Sequence, residues 1–322
     1  MSEEAEATST RHANRREMSR YDGWLMPSPP DAIVVPGSIS NLGPGFDALS
    51  VAVSVYLRLT NIEVRPESPG TLEMDFGATT PPGENRIATG FRHAQAHFGD
   101  AAPGLRLTVH SDIPMRAGLG SSAAATIAGF KLYEAMTKPR PVEDLMVLAT
   151  EIEGHPDNAA AALLGGLTLS CQQADGHVLT SSWEWPADIQ FVVGTPHAEL
   201  ETAFARTVVP REVPLKDAIF NLQRALLLVR SLETGRYEHL REAMADRWHQ
   251  PARAKYVPGL AEALALDHPA VLGVCLSGAG PSIAVLTRGR AAEAEVLLGG
   301  IYSQLGVPYT MRTLAPHPPA AS

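Results

Sequence analysis

Residues 48–64, ALSVAVSVYLRLTNIEV, alternate apolar and polar positions over a long run, the period-two pattern of a strand with one buried face. A first strand is expected just before it at AIVV, after a polar lead-in that ends in PSPP. Helical periodicity takes over at 84–98 and again at 120–136, with the strand LRLTVHSDI between them. A third helix is expected over 142–153, and AAAALLGG reads as a short helix stopped by two glycines. LTLSCQQADGHVLTSSWEW reads as a hairpin turning at Asp175-Gly176. Past WPADIQFVVGTP the pattern predicts helices near 216–232, 237–249 and 258–267, then strands at VLGVCLSG and GPSIAVLT. A helix over 290–300 and a strand near 308–314 close the chain. Helices mixed with antiparallel hairpins predict an α+β fold in two domains, residues 31–187 and 188–322. Residues 1–30 are expected to be a disordered tail.

Composition narrows the function. At 322 residues the chain exceeds what one compact core usually fills, which agrees with two domains. Its net charge of −9 argues against nucleic acid or an anionic membrane as the main partner. No apolar run approaches the roughly 18 residues of a membrane span, and the N-terminal stretch has no secretory apolar segment. A cytoplasmic protein is expected. Cys171 and Cys275 lie in apolar runs and read as small buried hydrophobes in a reducing compartment.

Several stretches can carry chemistry. In IPMRAGLGSSAAATIAGF, Gly118 and Gly120 allow a sharp turn into a helix that starts near Ser121-Ser122. The first amides of such a helix lack intrahelical partners, and its dipole adds partial positive charge, so an anion fits there. A hydroxyl in the first turn can also join a cation's oxygen shell. Serines are equally good helix caps and glycines good turns, so the loop alone fits both readings. NLGPGFDA formally matches G-x-G-x-x-A, but the residues after it alternate like a strand, so a dinucleotide site is not expected. Asn41 and Asp47 flank its glycines, where a ligand hydroxyl or amine can press against the backbone. On the helix 142–153, Glu153 falls at about 20°, within the apolar face, and Glu151 at about 180°, toward water. A carboxylate on a buried face needs a partner, and a metal ion is one. Asp157 and Asn158 stand at the entry to the next helix, where capping is an ordinary role.

PGSISNLGPGFDAL, PMRAGLGSSAAA and CLSGAGPSIAVL occur in the order of the three signatures of the GHMP small-molecule kinases, and the chain resembles that superfamily over about residues 31–315. NLGPGFD, EGHPDNAAAALLGG and HQPAR resemble the homoserine kinase family within it. The resemblance implies a left-handed βαβ crossover in the first domain, a ferredoxin-like second domain, and a site between them. It implies ATP, Mg2+ and transfer of the γ-phosphoryl group to the side-chain hydroxyl of L-homoserine, with homodimerisation as a family expectation. By position, Pro114, Met115, Arg116, Ala117, Gly118, Leu119, Gly120, Ser121, Ser122, Ala123 and Ala124 wrap the ATP phosphates, and Ser122 and Glu153 hold magnesium. Asn41, Asp47, Asn158, Thr202, Arg206 and Arg253 contact the amino acid, Asp47 through its ammonium and the arginines through its carboxylate. Asn158 stands where other superfamily members carry an aspartate proposed as base, which implies catalysis by Glu153, Ser122 and Asn158 without a general base. Ile39, Ser50 and Glu201 depart from the family pattern. The alternatives are a kinase for another alcohol, such as mevalonate, and a silent binding protein on the same fold. Asp47 and the arginine pair favour an amino acid, and retention of Glu153 and the loop favours an enzyme.

Overall fold

The structure, a computed structural model, describes residues 18–21, 24–78, 83–198 and 202–320, without the side chains of 18–27 and of Thr202. Within the stretch expected to be a tail, β1 (Met18–Tyr21) pairs antiparallel with β2 (Trp24–Pro27). Residues 1–17 of that stretch lie outside the described residues.

The chain then forms β3 (Ala32–Ser40), β4 (Leu49–Arg65), β5 (Leu72–Asp75), α1 (Arg86–Phe98) and β6 (Gly104–Ser111). The helices α2 (Ser121–Met136), α3 (Val142–Glu153) and α4 (Asp157–Leu164) come next, then the hairpin β7 (Leu167–Gln172) and β8 (Val178–Trp183). The six-stranded sheet runs β5-β6-β4-β7-β8, with β3 also paired to β4; β5 lies parallel to β6 and the other pairs are antiparallel. The expected alternation in β4 is real from Ser54 onward, where every second residue is buried as far as Leu59. α2 and α4 pack on β3 and β4. The run of alanines in α2 permits this close approach, with Ala123, Ala124 and Ala128 fully buried.

A second sheet is built from β9 (Gln190–Pro196) and, after α5 (Thr202–Thr207), α6 (Leu215–Thr234), α7 (Leu240–Ala243), α8 (His249–Arg253) and α9 (Leu260–Leu264), from β10 (Gly273–Leu276) and β11 (Ile283–Thr287). α10 (Ala291–Gln304) and β12 (Tyr309–Leu314) complete it, in the antiparallel order β10-β11-β9-β12. Strand β9 separates the two apolar cores by its alternation. Phe191 and Val193 join the core of the first sheet, and Val192 joins the core of α9 and α10. The chain end does not stay with the second sheet: Ala315 O accepts from Ser54 N (2.9 Å), His317 N donates to Ala52 O (2.8 Å), and Ala320 N donates to Leu164 O (2.7 Å).

Two local expectations change. The helix foreseen over 237–249 is broken, because the buried carboxylate of Asp246 accepts from Trp248 N (2.8 Å) and Gln250 N (2.7 Å) and so starts α8 afresh. Cys171 is exposed on β7 rather than buried. Cys275 is buried, and burial pushes its thiol up to about 12. Among the described residues no helix is long and apolar enough to cross a membrane.

Candidate active site

The start of α2 separates the two readings of the glycine loop. Gly120, at φ 72°, occupies the cap position, and no side chain caps the helix. The serines are the first helical residues, so the amides of the first turn keep their capacity for an anion. Ala117, Leu119 and Ala124 are buried behind the loop, whereas Arg116, Gly118, Gly120, Ser121, Ser122 and Ala123 line the cleft. Met115 lines the pocket next to it. A Cβ on Gly118 would lie 2.3 Å from Ser277 O. One on Gly120 would lie 2.2 Å from Ser38 Oγ, so a side chain there collides with β3 rather than with a phosphate.

The third signature braces this loop. Ser277 Oγ donates to Gly118 O (2.6 Å) and Ser282 N donates to Ala117 O (3.2 Å).

Glu153 reaches the same end of α2 from the last turn of α3. Its Oε1 accepts from Ser122 Oγ (3.1 Å) and Thr126 Oγ1 (2.7 Å), and the side chain is half-buried. Glu151 is exposed, as the helical angles predict. Thr126, one turn beyond Ser122 and inside the alanine-rich run, is the member of this cluster that sequence reasoning missed.

Asn158, also lining the cleft, is held by the strand carrying the first signature. Its Oδ1 accepts from Ser38 Oγ (2.8 Å) and its Nδ2 donates to Ser40 Oγ (3.0 Å). Beside it, Asp157 is buried and accepts from the Asn158 N–H (2.8 Å), while its Oδ1 pairs with His155 Nδ1 (2.6 Å). Burial pushes the Asp157 carboxyl up, but His155, the Asn158 N–H and Ser40 hold it below the usual range. Burial lowers His155, yet the Asp157 carboxylate raises its ring above the usual histidine value overall. Both were passed over in the sequence, His155 entirely and Asp157 as a cap.

Opposite lies a cationic corner. Arg206 forks onto Asp47 through Nη2–Oδ1 (2.7 Å) and Nη1–Oδ2 (3.0 Å). The two residues assigned to opposite ends of an amino acid therefore pair with each other here. Arg253 is fully buried; its Nε donates to Ala205 O (3.0 Å) and its Nη1 to Gly278 O (3.1 Å). Burial first, and the nearby Arg206 second, pull the Arg253 guanidinium down to about 10. The carboxylates of Asp47, Asp246 and Asp157 offset that lowering only in part. Phe46 forms the floor, with Arg253 and Arg206 lying 5.3 and 5.8 Å from its ring centroid.

His249 and Asn41 position this corner. His249 Nε2 lies 2.7 Å from Gly43 O, a group that can only accept, so Nε2 carries the hydrogen and Nδ1 accepts from Arg253 Nη1 (3.2 Å). Burial lowers the His249 ring's affinity for a second proton. Asn41 Oδ1 accepts from Asp47 N (3.0 Å) and Nδ2 donates to Gly278 O (2.9 Å), joining the first and third signatures. Asn41, Leu42 and Asp47 all have positive φ, strain held in place by these bonds. Thr202 begins α5 but its side chain lies outside the described residues, as does Glu201. Ile39 is core, and Ser50 is buried with its hydroxyl donating to Ile39 O (3.4 Å), so neither departure faces the cleft.

A second, more apolar pocket adjoins the first and shares Arg116, Ser121 and Ser122 with it. Phe76, Ile87, Ile113, Met115 and Ala125 are among its walls.

Residues 85–166 match the family described as GHMP kinases N terminal domain, and residues 228–298 match GHMP kinases C terminal. Over 287 residues the chain is 37% identical to the homoserine kinase of Moorella thermoacetica, covering 88% of this chain and 96% of that one. The crystal structure of homoserine kinase from Cytophaga hutchinsonii is similar at a TM-score of 0.76 and 25% identity, over 90% of this chain and 96% of that one. The L. major mevalonate kinase in complex with R-mevalonate shares the fold at a TM-score of 0.62 and 17% identity, over 91% of this chain and 99% of that one.

Proposed function

The chain belongs to the homoserine kinase family of GHMP kinases, and from that membership we propose that it transfers the γ-phosphoryl group of ATP to the side-chain hydroxyl of L-homoserine. The product, O-phospho-L-homoserine, lies on the route from aspartate to threonine that the resemblance implies. One observation carries the amino-acid reading: the buried Arg253 and the Asp47–Arg206 pair line one cleft with Asn158. A zwitterion supplies what each group lacks. Its carboxylate meets the guanidinium of Arg253 and one fork of Arg206, and its ammonium meets the carboxylate that Arg206 then shares. Mevalonate brings a carboxylate but no ammonium for Asp47.

The triphosphate would lie on the uncapped start of α2, with the nucleoside in the adjoining apolar pocket. Ser122 and Glu153 fit a magnesium ion, since both present hard oxygens and these converge within 3.1 Å. When bound, that ion would neutralise charge on the transferring phosphoryl group. The residues themselves orient and stabilise. The amides of α2 face the developing charge, and Asn158, fixed by two serines, marks the position of the attacking hydroxyl. Asn158 cannot accept its proton. Asp157 is held ionised and is therefore a weak base, and His155 is already tied to that carboxylate. A loose phosphoryl transition state tolerates this, because it demands little deprotonation of the nucleophile.

The test is an ATPase-coupled screen of L-homoserine, L-threonine, L-serine and mevalonate. Homoserine should give the highest kcat/KM by at least tenfold. Preference for mevalonate would overturn the amino-acid assignment, and no turnover with any alcohol would favour the silent binding protein.

A further inference from the structure

Thr126 is fully buried in α2, yet its hydroxyl is not spent on its own helix. Thr137 at the end of α2, Thr150 in α3 and Thr234 in α6 each donate to the carbonyl four residues earlier, all at 2.7 Å. Thr126 donates instead across to Glu153 Oε1, also at 2.7 Å. The backbone that carries this hydroxyl is pinned by α1, where a Cβ on Gly90 would lie 2.3 Å from Thr126 O. Glu153 needs such an anchor. It is the last residue of α3, which Gly154 ends in the left-handed conformation (φ 80°), so no further turn of helix confines its side chain. Its other bond, from Ser122 Oγ, is longer at 3.1 Å and comes from an exposed residue. Both bonds fall on Oε1, and among the described residues Oε2 accepts none.

We propose that Thr126 is the positioning residue of the magnesium site, holding Glu153 in place for the ion without touching ion or substrate. The proposal rests on the reading of Ser122 and Glu153 as the magnesium pair. Those two line the cleft, whereas Thr126 lies buried behind them. Four residues after Ser122, it stands on the same face of α2, toward the end of α3. Its bond to the carboxylate is charge-assisted, so it fixes Oε1 against α2 and leaves Oε2 for a cation. Without that bond the carboxylate keeps only Ser122, the group that the ion would itself engage. Partners that orient a ligating carboxylate in this way are worth about 10- to 100-fold in metal affinity.

Binding of the non-hydrolysable analogue AMP-PNP to the full chain, by isothermal titration calorimetry in excess Mg2+ and again in EDTA, tests this without turnover. Magnesium should tighten binding to the wild type. Thr126→Val should weaken binding in Mg2+ about 10- to 100-fold and leave binding in EDTA within about twofold. Thr126→Ser, which restores a hydroxyl, should lie close to the wild type. Added to Glu153→Gln, Thr126→Val should cost nothing further, because it acts through that carboxylate. If Thr126→Val keeps wild-type binding in Mg2+ while Glu153→Gln loses it, the proposal is overturned and the magnesium pair stands. An equal loss in Mg2+ and in EDTA would also overturn it, since the hydroxyl would then serve only the packing of α2. No loss in Glu153→Gln would overturn both readings. Should Thr126→Val fail to fold, Thr126→Ala removes the hydroxyl by truncation alone, and wild-type binding in Mg2+ by that variant would equally overturn the proposal.

Discussion

Replacing Arg253 by leucine separates what that residue does for the fold from what it does for the substrate. Two effects on stability oppose each other. Ala205 O and Gly278 O lose their donor, at about 1–3 kcal/mol for each buried carbonyl left unpaired. Against this, burial pulls the Arg253 guanidinium down to about 10, and leucine removes that desolvation cost. The net loss is then at most a few kcal/mol, and the variant should stay folded. Substrate binding has no such compensation. Losing a charge-assisted contact costs about 1.5–3 kcal/mol, which raises KM for homoserine by about 10- to 150-fold while KM for ATP stays within about twofold. Steady-state kinetics with homoserine and with 3-aminopropan-1-ol, which lacks only the carboxylate, make the comparison. The amino alcohol should react equally poorly with wild type and variant. If both substrates lose activity by the same factor, Arg253 does not bind the carboxylate.

Glu153→Gln should lower kcat by about 10²-fold or more and shift the magnesium dependence, on the scale of losing one charge-stabilising group, while Glu151→Gln changes kcat less than about twofold; equal effects would defeat the facial assignment. Gly118→Ala should destabilise by about 3 kcal/mol or more in urea denaturation, because its Cβ would sit 2.3 Å from a backbone oxygen. Gly154→Ala, with comparable positive φ but nothing within 4 Å, should cost only the roughly 1–2 kcal/mol of the left-handed conformation. His155 gains affinity for its proton from Asp157, so the stability of that pair is fully present below pH 6.5 and is lost as pH rises through the folded value above it. Tm measured from pH 6 to 9 should therefore fall more steeply in wild type than in His155→Gln; parallel curves would refute the coupling.

Much of this was readable in the residues. α3 runs from Val142 to Glu153 as its periodicity predicts, and the same angles separated Glu153 from Glu151. Period-two alternation located β4, and two glycines stopped α4. What escaped was long-range. Asp246 breaks a helical pattern by accepting from Trp248 N and Gln250 N, and Asn221, 25 positions earlier, donates to the same carboxylate at 2.6 Å, a partner no local pattern announces. The return of Ala315–Ala320 to the first sheet has no periodicity to announce it. The pairing of Arg206 with Asp47 spans 159 positions, so the sequence could name both as charged ligands of a zwitterion but not show that they hold each other. His155 and Phe46 were missed for a related reason, since a single ring gains meaning only from the charges folded around it.

The most direct measurement is phosphorus NMR of the product formed from ATP and L-homoserine. A single new phosphomonoester coupled to the side-chain methylene protons, appearing in equal amount with ADP, is the expected result. ADP accumulating with inorganic phosphate and no ester would contradict the account.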